Sequence, residues 1–120
     1  MQTEPRIAPG FIRLTEGNFH PTLARTQGVA LVLFTAPHCG ACRAWKQQLR
    51  LALDGIVEHW FEVDVAESTG LARAADIFHL PAMHLYRAGV FHADLQCEAA
   101  STAIRATTHR LLDAPAQDEP

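Results

Sequence analysis

The densest chemistry in the chain is Cys39-Gly40-Ala41-Cys42, and the other reactive side chains are scattered. In a helical segment, residues three apart lie about one turn from each other, so the two sulfurs come within bonding reach. Such a pair supports thiol–disulfide exchange, in which one thiolate attacks and the second sulfur displaces it from the mixed disulfide. Two other readings stand beside this one. Buried cysteines behave as small inert hydrophobes. A Cys-x-x-Cys with His38 next to it is also half of a tetrahedral zinc site. The chain has no second Cys-x-x-Cys, so a second copy would have to complete it. No metal is expected. Cys97 is the third thiol, and His79 and His84 flank Pro81 among seven histidines.

The position of the pair says more than its spacing. Val29–Phe34 is a continuous apolar run of strand formers, which reads as a central strand buried on both faces. After Ala36-Pro37, apolar residues recur at helical spacing through Ala44, Trp45, Leu49, Ala52, Leu53 and Ile56. That pattern predicts a helix over residues 40–53. The pair therefore falls where a strand turns into a helix. Free amides and the positive end of the dipole stabilise an anion there, so the thiol of Cys39 is expected to ionise below its ordinary range. Cys42, one turn further in, is expected to be more buried.

The remaining elements follow from period and punctuation. Phe11–Leu14 reads as an edge strand, and Thr15 as the cap of a short helix carrying Phe19 and Leu23. Residues 60–65 read as a strand and 71–77 as a helix capped by Ser68 or Thr69. Residues 80–86 and 90–95 form an antiparallel hairpin about Ala88-Gly89. A last helix over 99–112 turns Ile104, Thr108, Leu111 and Leu112 inward, and Trp45 and Trp60 read as core aromatics. The order β-α-β-α-β-α-β-β-α predicts a layered α/β sheet.

At 120 residues the chain supports one domain: a flexible arm at 1–10, a folded unit at 11–113 and a disordered tail at 114–120. A net charge of −3 with scattered arginines gives no footprint for nucleic acid. The longest apolar run, Val29–Phe34, is too short to span a bilayer, and Met1–Arg6 lacks the layout of a secretion signal. A cytoplasmic protein is expected. In a reducing compartment, three cysteines favour redox or metal chemistry over a structural bridge.

From about Leu14 to Leu112 the chain resembles the thioredoxin family. The resemblance rests on Phe34-Thr35-Ala36-Pro37-His38-Cys39-Gly40-Ala41-Cys42-Arg43, on Val63-Asp64-Val65, and on the gapless spacing from Val63 to Pro81. It implies a thioredoxin fold, a central mixed β-sheet flanked by helices on both faces. It implies that Pro81 is cis and packs beside the cysteines, against the alternative of a trans proline at a strand entry. The backbone of Leu80 would then pair with a substrate strand. The implied activity is reduction or exchange of protein disulfides by a monomer. No bound cofactor is implied, and a flavin-dependent thioredoxin reductase would supply electrons.

This sequence departs from the family pattern at several positions. His38 stands in place of a tryptophan, either stabilising the thiolate when charged or simply exposed. Ala41 replaces the motif proline beside Gly40, and Gln47 a mid-helix proline. Leu33 replaces a buried aspartate that manages the proton of the resolving cysteine. On the neighbouring strand Glu62 takes a position often held by lysine. Glu62 is expected to substitute for the missing acid, with burial raising its pKa toward that of a general base; the alternative is an exposed strand-end glutamate. Cys97 takes the place of a glycine lining the substrate groove, as an accessory thiol or as a packed free cysteine. These departures leave a second function open: a binding module or assembly chaperone for one client, without general redox activity.

Overall fold

The computed structural model describes residues 10–120. The arm expected over residues 1–10 lies outside the described residues except for Gly10. Nine elements follow in the expected order: β1 (Ile12–Arg13), α1 (Phe19–Arg25), β2 (Val29–Thr35), α2 (Gly40–Ala52), β3 (His59–Asp64), α3 (Thr69–Ala74), β4 (Ala82–Arg87), β5 (Val90–Leu95) and α4 (Ser101–Asp113). The strands form one mixed sheet in the order β1-β3-β2-β4-β5. β1 and β2 run parallel to β3, while β2–β4 and β4–β5 are antiparallel.

β2 is central because both of its faces are apolar. Side chains alternate across a strand, so Ala30, Val32 and Phe34 enter one core with Phe19 and Leu23 of α1, Leu71 of α3 and Phe61 and Val63 of β3. Leu31 and Leu33 enter the other, with Leu49 and Ala52 of α2, Trp60, Met83, Leu85 and Ile104 of α4. Helices thus cover both faces of the sheet. No helix among the described residues is long and apolar enough to cross a membrane.

Differences from the expected elements are local. The cap of α1 is Asn18 rather than Thr15. The carbonyl of Thr15 accepts from the N–H groups of Asn18 and Phe19, and its own N–H donates to Asn18 Oδ1 at 2.7 Å, so Thr15 opens the turn before the helix. Ser68 caps α3 by position, without a side-chain hydrogen bond to its amides. The hairpin turns through Ala88 (φ 52°) and Gly89 (φ 81°), the pair of left-handed residues that a tight hairpin needs. A Cβ on Gly89 would lie 2.8 Å from the carbonyl oxygen of Leu23, so glycine also lets the hairpin close against α1.

The tail expected to be disordered lies along β5. Gln117 donates its main-chain N–H to the carbonyl of His92 at 2.7 Å, and its side-chain carbonyl accepts from Asp94 N–H at 3.0 Å. One glutamine thus supplies both a donor and an acceptor to the open edge of the strand. Neither contact leaves a mark in a polar, proline-containing composition.

Candidate active site

β2 ends at Thr35, and the chain turns through Ala36, Pro37 and His38 into α2. His38 has φ 64° and an exposed side chain. The left-handed region costs an ordinary side chain roughly 1–2 kcal/mol, and histidine is among the residues enriched there. Cys39 follows in an extended conformation as the N-cap of α2, and its Sγ accepts the N–H of Cys42 at 3.1 Å. A sulfur therefore occupies the place where a serine or aspartate oxygen usually satisfies a free helix amide. In this structure the sulfur belongs to a Cys39–Cys42 disulfide with Cα atoms 5.2 Å apart. No acidic side chain lies in the first turn of α2, where an anion would be stabilised. Cys39 is half-buried and Cys42 is 3% exposed, so the sulfur open to a partner is that of Cys39.

Two carboxylates that line the cavity beside the cysteines, Glu62 and Asp64, come from the neighbouring strand. Glu62 is paired in register with Leu33, so it shares the α2 face with Leu33 and Thr35. Its Oε2 accepts from the hydroxyl of Thr35 at 2.8 Å, and its Oε1 accepts from Nζ of Lys46 on α2 at 2.7 Å. Lys46 also lies over the ring of Phe11, 5.2 Å from its centroid. Thr35, Cys42, Lys46 and Glu62 line one cavity of about 290 Å³, with Arg13 and Asp64 at its side. Arg13 forms ion pairs with Asp64 at 3.6 Å and Glu67 at 3.7 Å.

The third piece arrives from β4. The Leu80–Pro81 peptide bond is cis. Phe34 pairs with Ala82 in register, so Pro81 reaches the sheet at the end where β2 gives way to the cysteine turn. Cys97, two residues past β5, is half-buried against the core shared by α2 and α4. Burial first, and then the charge of Glu98, push its thiol upward, which keeps it protonated at neutral pH. His79 is exposed. His84 is 4% exposed between the rings of Phe34 and Phe91, each 5.1 Å away. Burial pulls its pKa below the ordinary value, against the opposing charges of Asp94 and Glu119.

The thioredoxin family model matches residues 10–110. The chain belongs to the thioredoxin family. Its mixed five-stranded sheet and flanking helices are the fold of that family's solved structures. Chloroplastic thioredoxin z superimposes with a TM-score of 0.66 at 18% identity, covering 91% of this chain and 100% of that one. Human ERp44 in its zinc-bound form gives 0.68 at 21% identity, over 85% of this chain and 30% of that one. ERdj5 gives 0.71 at 19%, over 89% and 15%. Among curated proteins, NADPH-dependent thioredoxin reductase 3 of Arabidopsis thaliana is 36% identical over 61 residues. That stretch is 49% of this chain and 12% of the plant protein.

Within the thioredoxin fold, Cys39, Gly40, Ala41 and Cys42 form the first turn of α2, with His38 before them. Glu62 stands one strand across from Leu33 on the same face, in contact with the cavity that Cys42 lines. Sequence reasoning singled out neither Lys46 nor Thr35, the two partners of Glu62. Two signals pointed to them. Lys46 is four residues after Cys42 and shares its helix face, and Thr35 is two after Leu33 and shares its strand face. Arg13 carries no such signal, because only the pairing of β1 with β3 brings it alongside Asp64.

Proposed function

We propose that this chain reduces protein disulfides, with Cys39 as the attacking sulfur and Cys42 as the resolving one. The observation that carries this reading is the N-cap position of Cys39: its sulfur accepts the Cys42 amide, with Cys42 buried behind it. The thiolate of Cys39 attacks one sulfur of a client disulfide and forms a mixed disulfide, and the other client sulfur leaves and takes a proton. Cys42 then gives up its proton and attacks Cys39, closing the 39–42 disulfide and releasing the second client thiol. Two electrons pass to the client, and a dithiol donor must return two electrons to this chain.

Glu62 is the group we assign to the Cys42 proton. It lines the same cavity, and its carboxylate is oriented by Thr35 and Lys46. Pro81 and Leu80 border the client, His38 sets the turn before Cys39, and Cys97 stays outside the exchange. The likeness to part of an NADPH-dependent thioredoxin reductase supports a flavin reductase as electron donor. A reducing compartment such as the cytoplasm suits that direction of flow. The test is insulin reduction with dithiothreitol as the terminal reductant. The chain is expected to accelerate precipitation of the insulin B chain, and a Cys39→Ser variant to have no effect. Equal rates for the two overturn the reading.

A further inference from the structure

The cation that meets Glu62 is itself held from a third element. Side chains two apart on a strand share a face, so Trp60 and Glu62 both turn from β3 toward α2. Residues four apart on a helix share a face, so Lys46 and Arg50 both turn from α2 toward β3. The two pairs meet rung by rung. Lys46 Nζ donates to Glu62 Oε1 at 2.7 Å, and the Arg50 guanidinium lies over the Trp60 ring, 4.8 Å from its centroid. Phe11 touches both rungs. Ile12 of β1 pairs with Phe61, which brings the residue before it, Phe11, alongside Trp60. The two rings meet edge to face at 5.4 Å, and Lys46 lies over the Phe11 ring at 5.2 Å. Gly10 (φ 64°) turns just before this point, with the Arg50 guanidinium where a side chain on it would stand.

Lysine is a flexible point charge, and the Lys46 side chain is 33% exposed, so solvent competes for its ammonium. An aromatic face attracts a cation without using up its N–H donors. The Phe11 ring therefore steadies Nζ and leaves the bond to Glu62 intact, whereas an aliphatic side chain would fill the space without that pull. The other charged groups at the cavity are engaged or peripheral. Arg13 of β1 pairs with Asp64 and Glu67, while His38 and Arg43 are exposed at the cysteine turn. Among the described residues, Lys46 is the cation that pairs with Glu62.

We infer that Phe11 is a positioning residue of the disulfide site: its ring holds the Lys46 ammonium on Glu62, which keeps that carboxylate ready to accept the Cys42 proton. This rests on the assignment of Glu62 to that proton. An ammonium beside a carboxylate favours its ionised, proton-accepting form. Loosening Lys46 should therefore slow closure of the 39–42 disulfide most on the acid side of the pH profile. The residue that enters β1 thus acts on the cysteines through two intermediaries, one on α2 and one on β3.

The reduced full chain is mixed with oxidised insulin at a series of pH values and quenched in acid. Mass spectrometry then separates chain carrying the 39–42 disulfide from chain still joined to insulin. Phe11→Leu should slow closure about threefold on the acid side, the scale of one partly exposed cation–ring contact, and match wild type on the alkaline side. Phe11→Tyr keeps the ring face and should keep the wild-type profile. Lys46→Met should shift the profile at least as far as Phe11→Leu, and Phe11→Leu should add nothing to Glu62→Gln. A wild-type profile for Phe11→Leu overturns the inference. So does a tyrosine variant that behaves like the leucine one, or a leucine effect undiminished in Glu62→Gln. Phe11→Met, whose side chain fits irregular gaps, takes the place of Phe11→Leu should circular dichroism show that variant unfolded. Glu62→Gln decides the underlying assignment separately. If its profile is unshifted, that assignment falls and the role of Phe11 with it; if it is shifted while Phe11→Leu is not, only the role of Phe11 falls.

Discussion

On the α2 side of the Cys39–Cys42 disulfide, both mostly buried carboxylates meet a cation: Glu62 binds Lys46 and Asp64 binds Arg13. On the α3 side, Phe78 and Arg73 face water with no ion-pair or ring partner among the described residues. The difference follows from burial. A partly buried charge must be paired or solvated to be tolerated, so the α2 side is built as a closed polar network with fixed geometry. Exposed groups carry no such requirement, and the α3 side leaves its aromatic ring and its cation in solvent. One side holds its charges in fixed pairs and the other leaves its reactive surface unpaired and solvated.

The largest effect should come at the sulfur of Cys39. Cys39→Ser should abolish disulfide reduction, whereas Cys42→Ser should still attack and accumulate a mixed disulfide with the client, seen by mass spectrometry. Next comes the apolar floor of the α2 side. Leu33 is fully buried between α2 and the sheet, so Leu33→Ala should cost about 3 kcal/mol in urea denaturation while leaving the alkylation rate of Cys39 unchanged. A stability loss below 1 kcal/mol would show that this core is loosely packed.

Glu62→Gln keeps the shape of the network and removes its charge. If Glu62 takes the Cys42 proton, turnover should fall by about a hundredfold with a changed pH profile. An unaltered rate and profile would leave Glu62 a structural partner of Lys46 alone. Removing Arg13 should matter least: its side chain is 50% exposed, and Arg13→Ala should cost under about 1 kcal/mol, less still at high salt.

His84 tests the buried core, where its ring packs against Phe34 and Phe91. Burial holds its pKa below the ordinary 6.5. Between those two values the unfolded chain binds a proton that the folded chain does not, so stability falls as pH drops below 6.5. His84→Leu should flatten that slope in denaturation midpoints measured from pH 7 to 5. An unchanged slope would place the acid sensitivity elsewhere.

The strand-to-helix junction was legible in the sequence because two periods change at one point. An apolar run ends at Phe34, and a helical pattern begins after the cysteines. The partners of Glu62 were not legible as a set. They come from three elements, and only the parallel register of β2 with β3 puts Glu62 level with Leu33 and within reach of Thr35. The cap of α1 was misplaced because Thr15 and Asn18 both favour such positions, and the hydrogen bond between them decides which one starts the helix. Phe78 carried no signal between the helix over 71–77 and the strand from Leu80, since exposure of a single aromatic is a property of the fold around it.

The sheet has two outer strands, and neither offers a neighbouring molecule much to add to. β1 is two residues long, and on β5 the backbone groups of His92 and Asp94 already bond to Gln117. A long bare strand margin is a template for other chains to zip onto. By closing that margin with Gln117, the chain keeps intermolecular sheet growth off its β5 edge.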